Sequence, residues 1–136
     1  MRDAAENGQL ALLLEVTGTP KPGNVDRHRD YEDLRFEHFT AGAVGAGGGL
    51  RMAADGDRLG RAFERAVAGM SEQSAGNTQF GALLLVTPLV GAAATGRLST
   101  EGTAALAEAT TVEDACDFYR AFAVALAWLA YLHTDL

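Results

Sequence analysis

With 136 residues the chain has the size of one domain, and its 48% hydrophobic and 7% aromatic content excludes a disordered or fibrous protein. A formal charge of −7 opposes nucleic acid as a partner, because affinity for phosphate backbones comes from lysine and arginine; any anionic ligand must be met by a local group of cations. Cys116 is the single cysteine, so an intramolecular disulfide or thiolate metal cluster is ruled out, and it reads as a small core residue in a reducing compartment.

At the N-terminus, Asp3 and Glu6 precede an apolar run too short for a secretory signal. Ala4, Ala5, Leu10, Leu13, Leu14 and Val16 give the apolar face of a first helix that ends near Thr17. From Gly18 to Asp33 the chain holds two of its three prolines, two glycines and a dense set of charges, so this stretch is a loop with functional potential. Asp33 is placed to cap a second helix carrying Leu34, Phe36, Phe39 and Val44, which the glycine-rich run from Ala41 frays or ends. A third helix, about Asp57 to Met70, spaces Leu59, Phe63, Ala66, Val67 and Met70 on one face and leaves Arg58, Arg61 and Arg65 to solvent.

After a polar loop, Thr78 caps a very apolar fourth helix that Pro88 should kink or restart. Ser99 caps a fifth, and Thr110 with Glu113 forms the capping box of a sixth running to about His133. No segment reads as a strand. The expected fold is all-α: one domain, residues 1–136, of about six helices. The apolar stretch Ala121 to Leu132 falls short of the roughly 20 residues that span a bilayer, so the reading is a soluble, cytoplasmic protein without a membrane partner.

The chain has ten arginines and one lysine, and that lysine, Lys21, sits between Pro20 and Pro22. The two rings fix their own φ angles and push Thr19 and Lys21 toward extended conformations, so Lys21 stands on a stiff strut. Gly23 permits a tight turn or close approach of a ligand to the backbone. Asp26, Arg27, His28, Arg29, Asp30, Glu32 and Asp33 follow, the mixture that a polyphosphate with magnesium requires; it is equally the composition of a solvated turn whose ions pair with one another. In the second loop Gly76, Asn77 and Thr78 lie at a helix N-terminus, where free amides favour an anion, although Thr78 also reads as an ordinary cap. His28, His38 and His133 are too scattered for a metal site, and His38, beside Phe36 and Phe39, reads as structural.

The stretches LLLEVTGTPKPGNVD, DLRFEHFTAGA, GNTQFGALLL and TTVEDACDFYRAF together resemble the triphosphoribosyl-dephospho-CoA synthase family over Leu12 to Phe122, as an N-terminal half. The resemblance implies an all-helical enzyme that moves the triphosphoribosyl group of ATP to 3′-dephospho-CoA and releases adenine. It implies ATP as substrate with Mg2+, Lys21, Gly23 and Arg27 on the phosphates, and Asn77 and Thr78 closing the nucleotide site. Glu15 would stabilise the cationic sugar, while Asp26 and Asp33 would hold magnesium or act as general base toward the attacking 2′-hydroxyl.

Three features depart from the family pattern. Gln79 and Phe80 stand where the family's Gly-x-Asn-Thr-His-Lys-Gly has histidine and lysine, Tyr31 replaces a further histidine, and family members run well beyond this length. A related acceptor, or a non-catalytic helical module that keeps only nucleotide binding or dimerisation, is the alternative expectation. The last helix carries Phe118, Phe122, Leu126, Leu129 and Leu132 near one stripe, with Ala121, Val124, Trp128 and Tyr131 widening it, which predicts a homodimer through this helix and the one containing Pro88.

Overall fold

Asp3 starts the first helix: its Oδ1 accepts from the Glu6 amide at 2.9 Å while Glu6 Oε2 accepts from the Asp3 amide at 2.9 Å, a reciprocal cap. The computed structural model describes residues 1–18 and 20–132, with side chains as far as residue 127. Thr19, His133 and the side chains of Trp128, Leu129, Tyr131 and Leu132 therefore lie outside the described residues. The helices are α1 (Ala4–Thr17), α2 (Phe36–Gly45), α3 (Gly47–Ala54), α4 (Leu59–Met70), α5 (Phe80–Ala94), α6 (Thr100–Glu108) and α7 (Val112–Leu132). No strand forms among the described residues, and none of their helices is long and apolar enough to cross a membrane.

The all-α class is the expected one, with one more segment than the pattern suggested. α2 ends at Gly45, inside the run from Ala41, as its glycines suggest. After a turn at Ala46 the rest of the run forms the start of α3, because the glycines are where helices touch. A β-carbon on Gly45 would overlap the Gly69 carbonyl, and one on Gly69 would overlap that of Gly45, so α2 and α4 cross backbone to backbone. The gain from this close packing outweighs the intrinsic helix penalty of glycine, about 1 kcal/mol per residue.

α4 is the central element, in contact with α2, α3, α5 and α7, and it buries Phe63, Ala66, Val67 and Met70 as its spacing predicts. Phe63 meets Phe80 edge-on, with centroids 5.1 Å apart, and stacks on Phe118 at 5.8 Å; Phe80 also meets Phe122 at 5.8 Å. α1 turns Ala5, Gly8, Leu12 and Val16 inward and leaves Leu14 exposed, a face rotated from the expected one. Apolar residues surround most of this helix, so periodicity alone cannot select which side is buried.

Several local expectations are corrected by tertiary contacts. Asp33 does not cap α2: Asp30 Oδ1 accepts from the Phe36 amide at 2.8 Å, and His38 Nδ1 accepts from the Arg35 amide at 3.0 Å. Thr78 does not cap α5, where Asn77 Oδ1 accepts from the Phe80 amide at 3.1 Å. α5 runs through Pro88 without a restart. Ser99 does cap α6, accepting from the Gly102 amide at 3.0 Å.

At α7 the carboxylate that meets the helix start is Asp114 on Thr111, not Glu113 on Thr110, and the reciprocal half of a capping box is replaced by a hydroxyl that donates. Asp114 Oδ2 accepts from both the amide and the hydroxyl of Thr111 at 2.9 Å, and its Oδ1 takes the Gly60 amide of α4 at 2.8 Å. A second helix end thus decides which carboxylate caps the first. Arg58 is not merely solvated, since it reaches Glu113, Asp114 and Asp117. Cys116 is exposed rather than in the core.

Candidate functional site

The first loop is held by a small apolar cluster of its own. Val25 is fully buried against Val16 of α1 and Phe39 of α2, with Leu34 and Phe36 beside them, so the charged segment rests on the adjoining ends of two helices. Above this cluster the chain folds around Asp26. Its Oδ2 accepts from the Lys21 amide at 2.9 Å and its Oδ1 from the His28 amide at 2.7 Å, while the Asp26 and Arg29 backbones exchange bonds of 3.2 and 3.3 Å. Those amides, Lys21 foremost and then His28, hold the Asp26 carboxyl below the ordinary carboxylate range. Gly23 turns the chain with φ of +79°, and nothing lies within 4 Å of where its β-carbon would be. The turn conformation rather than crowding is what requires glycine there.

With its amide fixed, Lys21 points its ammonium at Glu15, where Nζ lies 2.5 Å from Oε1. Both side chains remain partly open to solvent. A cleft of about 420 Å³ is lined by Pro20, Lys21, Pro22, Asp26, His28 and Arg29. Arg27, Arg29 and Asp33 are exposed, and their side chains make no ion pair or hydrogen bond among the described residues. The loop therefore presents a lysine beside a carboxylate, two uncommitted guanidinium groups and one uncommitted carboxylate.

The second loop is anchored to the same two helices. Gln79, 4% exposed, donates through Nε2 to the Leu12 carbonyl of α1 at 3.3 Å, one turn before Glu15. Thr78 packs against Gly42 of α2, where a β-carbon would come within 2.6 Å of its Oγ1. Thr78 Oγ1 and Gln79 Oε1 are buried without a hydrogen-bond partner. His38 Nε2 and Ser74 Oγ lie 3.3 Å apart, a further tie between α2 and this loop. Both loops thus join α1 and α2.

Sequence reasoning missed Gln79 as a bridge and Asp30 as a cap. It also missed a second acidic centre, in which Asp117, 2% exposed, is contacted by Arg58 and Arg120, and Arg120 also reaches Glu64 at 3.0 Å. Asp117 Oδ2 lies 3.0 Å from Arg58 Nη2, off the direction of a hydrogen bond, so the contact is ionic. The spacing of Asp114 and Asp117, on the helix side that also carries Ala121, was the available signal.

No group of three or more histidine, cysteine, aspartate or glutamate side chains suited to a metal ion gathers among the described residues. Magnesium needs fewer protein ligands when phosphates supply the rest. The exposed Asp33 fits such a partial site better than Asp26, whose two oxygens already accept amides.

The family model described as CitG: ATP:dephospho-CoA triphosphoribosyl transferase matches residues 1–131. No curated protein and no solved structure matches the chain. The match covers nearly the whole chain, which therefore belongs to that family.

Proposed function

From that membership we propose that the chain transfers the triphosphoribosyl group of ATP to 3′-dephospho-CoA or a related acceptor, with release of adenine. The observation that carries this reading is the Lys21–Glu15 pair on a loop whose backbone Asp26 holds in place. The bond from ribose carbon 1 to adenine breaks with its electron pair going to the base, while the acceptor hydroxyl oxygen bonds to that carbon and loses its proton. Such a reaction needs the phosphates clamped and negative charge beside the sugar.

In this assignment Lys21 and Arg27 contact the triphosphate, the Gly23 turn leaves room for it, and Asn77 and Thr78 close the nucleotide site. Glu15, released when phosphate takes its place on Lys21, faces the cationic sugar. Asp33 is the general base or the carboxylate that meets magnesium brought in by ATP, and Asp26 serves the same centre by fixing Lys21. ATP and the acceptor are the proposed small-molecule partners, a second copy of the chain is the proposed protein partner, and the cytoplasm is the proposed compartment.

The aromatic packing of Phe80 favours a second reading. Its ring lies among Phe63, Phe118 and Phe122, so the position after Gln79 serves the core and offers no polar group to a substrate. That arrangement fits a helical module that binds nucleotide without turning it over. Incubation with magnesium-ATP and 3′-dephospho-CoA separates the two: transfer gives free adenine and a mass-shifted CoA product. A rise in melting temperature with magnesium-ATP, but no adenine with any acceptor, decides for the binding module.

A further inference from the structure

α7 rests on α4 through Asp114, Asp117, Phe118, Ala121 and Ala125, and a second apolar stripe runs along its outer side. That stripe is Val112, Ala115, Tyr119, Phe122 and Leu126, spaced alternately by three and four residues, the repeat that lets two helices lie along each other. Across a groove from it α5 presents Leu84, and the open side of α5 adds Leu85 and, bordering α6, Leu89. The groove of about 210 Å³, lined by Leu84, Pro88, Ala115 and Phe118 among others, joins the two helices into one surface.

Tyr119, Phe122, Leu126, Leu84, Leu85 and Leu89 are each between 40% and 69% exposed. For side chains of about 150–250 Å² or somewhat less, these fractions leave on the order of 600 Å² in the open from six residues alone. A typical monomer's largest apolar patch is about 300–600 Å². The neighbouring Val112, Ala115 and Ala123 bring the face near the roughly 800 Å² per partner of a standard interface.

Charge identifies the occupant. α5 contains no charged residue and neither does the outer stripe of α7; Asp114, which lines the groove between them, is buried with its oxygens on Gly60 and Thr111, and Arg120 is engaged by Glu64 and Asp117. About a two-fold axis a surface meets itself, so any charge on it would face its like. In a chain of net charge −7, two copies associate best through a face that exposes none.

We propose that the α5–α7 face docks a second copy of the chain in a two-fold symmetric dimer. The proposal is independent of the catalytic assignment. Sedimentation equilibrium of the full chain tests it, with a mass twice 14.2 kDa expected at micromolar concentration. Leu85→Glu combined with Tyr119→Glu, both at largely exposed positions, should weaken association by about a hundredfold or more while the far-ultraviolet circular dichroism is unchanged. Val44→Glu, exposed on α2 away from this face, should leave the dimer intact. A monomeric wild type, an assembly larger than a dimer, a dimer that survives the double substitution, or one that Val44→Glu dissolves would each overturn the proposal.

Discussion

Two buried aspartates organise opposite regions of this protein in the same way and with different surroundings. Asp26 accepts the amides of Lys21 and His28, and Asp114 accepts those of Gly60 and Thr111. Around Asp114 the cations are committed: Arg58 reaches Glu113, Asp114 and Asp117, and Arg120 reaches Glu64 and Asp117. Around Asp26 they are not, since Arg27 and Arg29 have no ion pair among the described residues and Lys21 has one partly exposed glutamate. A charged cluster that satisfies itself holds helices together. The one that keeps cations in reserve beside a cleft is the one to which the proposed triphosphate contacts are assigned.

The contrast is broken most strongly at the structural end. Asp114→Ala leaves the amides of Gly60 and Thr111 without acceptors where α4 and α7 meet, and should cost about 3 kcal/mol of stability in urea denaturation. The affinity of the folded protein for magnesium-ATP should be unchanged. A loss of affinity with little loss of stability would move the ligand site to this region.

Lys21→Ala tests the other end. Loss of one charge-assisted contact should weaken magnesium-ATP binding by about 1.5–3 kcal/mol, measured by calorimetry, with the melting temperature nearly constant. Its pair with Glu15 is too exposed to contribute much to the fold. Unchanged affinity with a large drop in melting temperature would make Lys21 structural and remove the distinction between the two regions.

The smallest effect is in acid. The folded-state value of Asp26 lies below that of the unfolded chain, so its contribution is complete above about pH 4 and is lost as pH falls through the folded value. Asp114 behaves alike: burial raises its carboxyl, but the Thr111 and Gly60 amides outweigh this and hold it low. Melting temperature should therefore decline below pH 4, less steeply in Asp26→Asn than in the wild type. Equal slopes would mean that the charge on Asp26 contributes nothing to the loop.

By itself the sequence determined the all-α class, the α4 core face, the Ser99 cap and the family, because each rests on spacing or on a motif contained within a short window. It also marked the Gly23 turn, where backbone chemistry is local. Only the tertiary structure decided which carboxylates are structural. Asp30 displaced Asp33 as the cap of α2, and Asp114 was drawn to α7's own end and to Gly60 of α4 at once. The glycine run became helix for the same reason: the carbonyl that fills the space beside Gly45 belongs to Gly69, and no local pattern reports a neighbour so distant in the chain. A cap, a buried charge or a close helix crossing is a relation between two segments, and its energy is set by the one that folding brings alongside.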